Sequence, residues 1–288
     1  MDDALRATIE RALGSAIVDA RRVHGGDVAV AYAVALDDGR RVFAKTHPSA
    51  PPNFFTTEAA GLAWLREPAV IPVPEVLAVS DAPPNHLVLE WIDEGGRASN
   101  DDAEAALGTA LATLHAAGAP AFGREDRRST GSRGLPNEPA ATWAEFYRDN
   151  RLLPLARLAR DANALPGSAI AQLERVAAHL EDHGAADEPP ARLHGDLWAG
   201  NRLVDGRGRS WLIDPAAHGG HREFDLAMMR LFGGFGARCF DAYDAAWPLE
   251  TGWQDRVTLH QIAPLVVHAI KFGGSYVAAA QRAIATYA

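Results

Sequence analysis

Residues 3–13 carry apolar side chains at amphipathic helical spacing, and the chain then turns to a β-rich texture. The run AIVDARRVHGG (16–26) ends in Gly25 and Gly26. DVAVAYAVALDDGRRVFAKTH (27–47) follows, with two more strand-like runs on either side of Asp38-Gly39. Asp-Gly between such runs signals a hairpin, because both residues tolerate the positive φ that tight hairpin turns require. Residues 16–46 therefore predict an antiparallel three-stranded meander with turns at the glycine pair and at Asp38-Gly39. NFFTTEAAGLAWLRE (53–67) predicts a helix with Asn53 as N-cap and Pro68 beyond its end. Strands are expected at 75–80 and 86–92. After Gly95-Gly96 the pattern is helical over 100–117, 139–163, 167–183, 222–232, 236–247, 254–270 and 273–286. Residues 192–214 interrupt it with short β-like runs that carry polar groups. The expected organisation is α+β, with a β-rich lobe at 1–92, a Gly-containing hinge and a mainly helical lobe at 93–288.

Composition narrows the partners more than the fold. A chain of 288 residues fits one large domain or two modest ones. The net charge of −9 disfavours nucleic acid and anionic membranes as main partners, although a local basic pocket can oppose that sign. The one cysteine, Cys239, can form no internal disulfide and no Cys-based zinc site, which suits a reducing compartment. The N-terminal run MDDALRATIERALGSAI lacks a signal-peptide core, and no run approaches the roughly 20 apolar residues that span a bilayer. The expectation is a cytoplasmic protein, monomer or homodimer, with no membrane partner.

The interrupting stretch holds the candidate chemistry. LHGDLWAGNRLV (193–204) carries His194, Asp196 and Asn201, and Asp214 ends the WLI run of WLIDPAAHGGHREFDLA (211–227). Oxygen ligands at two strand edges suit one magnesium ion, which takes a few protein oxygens together with phosphate oxygens. Asn201 and Asp214 are the expected ligands, and Asp196 is left to accept a proton from a hydroxyl. A catalytic Asp, a metal-binding Asn a few residues on and a second metal-binding Asp after the next hairpin form the phosphoryl-transfer template of kinase-like enzymes. Asp and Asn also cap turns. His-Gly-Asp, Asn at plus five and Ile-Asp-Pro, in this order, favour the chemical reading.

That template demands a strand lysine for ATP phosphates and a helical glutamate to hold it. VFAKT supplies Lys45, and the next helix supplies Glu58 on a face with Phe54, Leu62 and Leu65. A carboxylate on an apolar stripe is costly unless paired, and Lys45 is its expected partner. The alternative is a surface lysine and a snorkelling glutamate. Backbone amides of Gly25 and Gly26 could cover the phosphates, and the backbone of Glu90, Trp91 and Ile92 could pair with adenine. His218, His221 and Glu223 could be read as a metal cluster, but magnesium prefers oxygen, and hydrogen bonding is the expected role of these histidines.

LHGDLWAGN and IDPAAHGGHREFDLAMMRLFGGF (213–235) closely resemble the fructosamine kinase (ketosamine-3-kinase) family. Its more specific marks are Trp198, the Gly-His-Arg-Glu run at 220–223 and Phe-Gly-Gly-Phe at 232–235, and TWAEFYRDNRLLPLA (142–156) resembles a further family segment. The likeness runs from about residue 15 to 280. It implies the two-lobed protein-kinase-like fold shared with aminoglycoside and choline phosphotransferases. It implies ATP and Mg2+ as cofactors, and a small-molecule ketoamine or glycated lysine as acceptor, phosphorylated at O3 in a deglycation repair. Residue by residue, it implies Asp196 as catalytic base, Asn201 and Asp214 as magnesium ligands, Lys45 on the phosphates and Glu58 holding Lys45. His194 would brace the loop, and Asp225 would accept hydrogen bonds from its amides. Trp198 would wall the sugar, or simply pack in the core, and His221 and Glu223 would line the substrate pocket. The turn HGGDVAVAY departs from the family in lacking a cysteine found there in some members, so a thiol switch at that turn is not available. The rival readings are an aminoglycoside, choline or homoserine kinase, a catalytically dead nucleotide-binding module, and a magnesium-dependent hydrolase.

Overall fold

Asp38-Gly39 makes the turn that its sequence predicts. Gly39 adopts φ +85°, and Leu36 N–H donates to Arg40 O at 2.9 Å, closing the hairpin. The computed structural model describes residues 1–23, 29–95, 101–126, 129–130, 134–183 and 187–288. The chain divides into two units, Met1–Ala98 with Arg202–Pro215, and Ser99–Asn201 with Ala216–Ala288. Among the described residues no helix is long and apolar enough to cross a membrane.

The first unit is a five-stranded antiparallel sheet with two helices. Its strands are β1 (Ile17–Val23), β2 (Val30–Leu36), β3 (Arg41–Thr46), β4 (Val76–Ser80) and β5 (His86–Glu90), in the order β1-β2-β3-β5-β4. Alternation in β3 sends Val42 and Ala44 to one face, where they join Val34, Leu36, Val88 and the Leu5 and Ile9 of α1 (Asp3–Leu13). Lys45 therefore projects from the opposite face, flanked in register by Ala31 and Leu87.

Helix α2 (Phe54–Arg66) starts where expected, but its cap differs. Asn53 sits at φ +61° and makes no side-chain cap bond. The Asp81 carboxylate instead takes the N–H groups of Phe55 at 2.9 Å and Thr56 at 3.4 Å, and the Thr56 hydroxyl at 2.5 Å. A carboxylate at these amides meets both the orphan donors and the positive end of the helix dipole.

The expected boundary at 92/93 differs from the observed division in one important respect: residues 202–215 group with the first unit. There Arg202–Val204 and Ser210–Leu212 pair as a hairpin, whose Leu212 N–H donates to Pro72 O at 3.0 Å. Gly95 N–H in turn donates to Val204 O at 3.3 Å. Asp205 closes the hairpin turn by accepting from Arg207 N, Arg209 N, Arg209 Nε and Trp211 Nε1. Only Gly95 of the expected Gly95-Gly96 hinge is among the described residues.

The second unit is mainly helical. Its helices are α3 (Asp101–Ala116), α4 (Trp143–Tyr147), α5 (Leu153–Asp161), α6 (Gly167–Ala178), α7 (Glu223–Phe232), α8 (Ala237–Ala246), α9 (Trp253–Phe272) and α10 (Ser275–Ala285). Gly108 lets α3 lie against α8, since a Cβ there would come within 2.0 Å of Cys239 O. The run expected as one helix over 139–163 differs from that expectation in two ways. Thr142 starts it late through a capping box with Glu145. A π turn at Arg148–Leu152 then precedes α5, where Pro154 has no amide to offer Asn150 O four residues back. Proline acts likewise in α9. Pro264 cannot donate to His260 O, and the buried Tyr147 hydroxyl lies against this gap, 3.0 Å from Leu259 O and 3.2 Å from His260 O.

A short antiparallel pair, β6 (Ala191–Leu193) and β7 (His218–Gly220), holds the start of the LHGD loop against the GGHRE segment. The strand at 218–220 has no β-branched residue to announce it. Its Gly219 is required by contact, because a Cβ there would meet Ala121 O at 2.0 Å.

His218 is buried in this pair and stacks on Phe146. Burial, helped by the charge of Arg151, pushes its imidazole down to about 3. The folded chain thus keeps His218 neutral, while the unfolded chain protonates it near pH 6.5. Between those values the unfolded state holds more protons, so this contribution is complete above pH 6.5 and is lost as pH falls. Urea unfolding from pH 7 down to 4 should show a stability loss approaching ~1.4 kcal/mol per pH unit from this group. His218→Asn should reduce the slope, and an unchanged slope would contradict the assignment.

Candidate active site

The first unit holds a buried ion triad. Lys45 is 4% exposed, and its Nζ lies 2.6 Å from Glu58 Oε1 and hydrogen-bonds Asp214 Oδ1. Burial alone would push the Lys45 amine down, but the charges of Glu58 and Asp214 more than offset it, and the ammonium is stabilised. Burial pushes Glu58 up, Lys45 opposes this, and the nearby Asp214 charge adds to it. The expected Lys45–Glu58 partnership is present, and the reading of Lys45 as a surface residue does not hold. Phe54 is only half-buried, so the buried stripe of α2 runs through Phe55, Leu62 and Leu65 instead.

Asp214 sits at φ +52°, a left-handed conformation that Asp tolerates better than most residues and that is uncommon away from functional turns. Its side chain is 35% exposed against 5% for Lys45, so this carboxylate is the open member of the triad.

The LHGD loop lies in the second unit. Asp225, fully buried on α7, accepts His194 N–H at 2.7 Å and Gly195 N–H at 2.9 Å. His115 Nε2 lies 3.3 Å from the same carboxylate, and His115 Nδ1 lies 2.8 Å from the Tyr243 hydroxyl. Burial would raise the Asp225 carboxyl, but the His115 contact, the His115 and His194 charges and the Gly195 amide together hold it below its usual range. Gly195 is required at φ +81°, where a Cβ would also sit 2.2 Å from Ala216 O. Asp225→Ala strips two loop amides of their acceptor. It is expected to cost about 3 kcal/mol or more of folding stability by urea denaturation, and wild-type stability would contradict this anchoring.

The loop then turns tightly. Asn201 Nδ2 donates to Asp196 O at 2.7 Å and to Asp196 Oδ2 at 3.1 Å, so these two expected site residues are brought together. Asn201 commits its amide nitrogen here, which makes oxygen the atom with which it can ligate a cation. Asn201 and Asp214 each carry a hard oxygen donor of the kind that Mg2+ takes. Trp198, between Asp196 and Asn201 in sequence, is 41% exposed, which removes the core-packing alternative. Its indole lies across Gly200, where a Cβ would fall 2.3 Å from the ring.

Two expected pocket residues are placed differently. His221 and Glu223 are 2% and 1% exposed. Arg256 takes both oxygens of Glu223, at 2.6 and 3.0 Å, and His260 Nε2 lies 3.4 Å from it. Despite burial, these contacts hold the Glu223 carboxyl low. The ligand atoms of His221, Glu223 and His260 lie within 4.8 Å of one another. With Arg256 on both carboxylate oxygens, the group is an internal ion-pair network. In the first unit, Glu90 N–H donates to Glu75 O at 2.9 Å, so this amide is committed to the sheet, and β5 ends before Trp91 and Ile92. Gly25 and Gly26 lie outside the described residues. Asp81, His115, Tyr243 and Arg256 were not anticipated, and no local sequence signal marks them.

The fold and the loop define a class first. A macrolide 2'-phosphotransferase from Brachybacterium faecium superposes with a TM-score of 0.64, covering 99% of this chain and 98% of that one at 17% identity, which shows a shared protein-kinase-like phosphotransferase fold. A crystal structure from Thermobifida fusca, assigned as a fructosamine-3-kinase, superposes far better, with a TM-score of 0.91 and 37% identity over 100% of this chain and 99% of that one. The protein-ribulosamine 3-kinase of Arabidopsis thaliana is 34% identical over 92% of this chain and 81% of its own length. Residues 1–288 match the fructosamine kinase family model. The chain belongs to the fructosamine kinase family and is a phosphotransferase that uses a hydroxyl acceptor.

Proposed function

We propose that the protein transfers the γ-phosphoryl group of ATP to the 3-hydroxyl of ketosamines. The observation that carries this reading is the anchored loop: Asp225 fixes the His194 and Gly195 amides, and Asn201 fixes Asp196 beside the exposed Trp198. Asp196 is the base. It takes the 3-hydroxyl proton as that oxygen bonds to phosphorus, and ADP leaves with the electron pair of the broken P–O bond. Lys45, held by Glu58, is assigned to the ATP phosphates. Asn201 and Asp214 are assigned to Mg2+, which when bound offsets charge on the phosphates.

Phosphate at O3 is allylic to the enaminol that forms between C1 and C2. Its departure leaves an imine that water cleaves, releasing the amine without a further enzyme. The result is a deglycation repair.

The direct experiment is an acceptor panel with ATP. Phosphorylation of ribose- or fructose-derived ketosamines, with kanamycin and choline inert, is the expected outcome. Phosphorylation of kanamycin with ketosamines inert would overturn the reading, and phosphate release without any acceptor would favour a hydrolase.

A further inference from the structure

Within the second unit, a turn with little stiffness of its own packs on the LHGD loop. Residues 233–236 join α7 to α8 and include Gly233, Gly234 and Gly236. Gly233 and Gly234 sit at φ +71° and +89°. Contact also requires glycine at 234, since a Cβ there would lie 2.3 Å from the Ala199 Cβ. Ala199 stands between Asp196 and Asn201, which are joined by the Asn201 Nδ2 hydrogen bonds. The turn therefore presses on the segment whose shape sets the Asp196–Asn201 contact. Glycines leave a backbone free to take many other conformations, so the position of this turn has to be imposed from its two ends.

At the first end, Gly233 N–H continues α7 by donating to Met229 O at 3.1 Å. At the second end the tether comes from another helix. Helix α8 has no acidic residue in its first turn and no side-chain cap of its own. Gly236 N–H donates instead to Glu104 Oε2 at 2.7 Å, on α3 and 132 residues earlier in the chain. Glu104 is 3% exposed, and burying a carboxylate is costly. A Ser or Asp at the start of α8 would cap that helix without a buried charge. What the carboxylate on α3 adds is a fixed distance between the turn and α3. The same face of α3 carries Gly108, pressed against Cys239 O, and about three turns beyond Glu104 it carries His115, which meets Asp225. Helix α3 thus supports the loop at two points. One runs through Asp225 to the His194 and Gly195 amides, and the other through the 233–236 turn to Ala199.

Resting on the reading of Asp196 as the base, we propose that Glu104 is a positioning residue for phosphoryl transfer, acting through the 233–236 turn on the Asp196–Asn201 pair. The test measures ATP-dependent phosphorylation of a ribose-derived ketosamine by Glu104→Gln, which keeps an oxygen acceptor for Gly236, and by Glu104→Leu, which does not. Glu104→Leu should lower kcat about ten- to a hundredfold with KM for ATP within about twofold of wild type. Glu104→Gln should keep kcat within about threefold of wild type. Ala199→Gly removes the methyl group beneath Gly234. It should lower kcat alone and add little to Glu104→Leu, because the two act through one contact. Thermal melts fix a temperature at which each variant is folded. Should Glu104→Leu fail to fold, Glu104→Asp, one methylene too short to hold Gly236, takes its place with the same expected fall in kcat. Wild-type kcat in a variant that has lost the acceptor, even with a lowered Tm, would leave Glu104 as a helix cap only and overturn the proposal. Losses that multiply in the double variant would overturn it as well. A wild type that phosphorylates no ketosamine defeats the ketosamine reading itself and this proposal with it.

Discussion

Asp196→Asn is expected to lower kcat by about 10²–10⁴-fold while ATP affinity stays within a few-fold of wild type. The substitution keeps the size of the side chain and removes its ability to take a proton. Because the loop is anchored by Asp225 through the His194 and Gly195 amides, the backbone at 196 should hold its place. The effect then belongs to the chemical step, and KM for the acceptor should move less than kcat. Steady-state kinetics alongside ATP titration separate the two. A variant with near-normal kcat would remove Asp196 from the reaction and revive the reading of a turn cap in a nucleotide-binding module.

Lys45→Met carries the second large expectation, in stability as well as activity. Removing the ammonium leaves Glu58 in a site with 11% exposure and, among the described residues, no other ion-pair partner. Breaking a buried pair on one side typically costs about 3–5 kcal/mol. Asp214 is a third exposed, so its share is discounted for solvent screening, and Glu58 dominates the loss. The double variant Lys45→Met/Glu58→Leu should recover most of that stability, since both charges are then gone, while phosphoryl transfer stays lost. Urea denaturation of the two single variants and the double one forms the cycle. Additive losses would mean that the two groups do not share one interaction.

The parts of the fold that were legible in the sequence are those with local causes. Asp38-Gly39 specified its hairpin because its backbone must reach positive φ, and the helical runs from 101 onward carried their own periodicity. Lys45 and Glu58 were legible as a pair because a carboxylate on an apolar helix face requires a cation. Asp196 and Asn201 sit five residues apart, and the bond between them is local.

What escaped the sequence depends on partners distant in the chain. Asp81 caps α2 from 25 residues away and displaces the nearer Asn53. His115 and Tyr243 brace Asp225 from α3 and α8, and neither carries a motif. The family resemblance implied His221 and Glu223 as pocket residues, yet Arg256, 33 residues beyond Glu223, holds that carboxylate in a buried ion pair. The hairpin 202–215 joined the first unit through backbone bonds to Pro72 and Gly95, which no side-chain pattern records.

The central claim is the position of the transferred group, and phosphorus NMR of the product tests it most directly. Incubation with ATP, magnesium and a fructose-derived ketosamine should give a phosphomonoester whose phosphorus couples to the proton on C3, followed by inorganic phosphate and free amine as that ester decays. Coupling to the protons of another carbon, or no new ester in the presence of consumed ATP, would contradict the account.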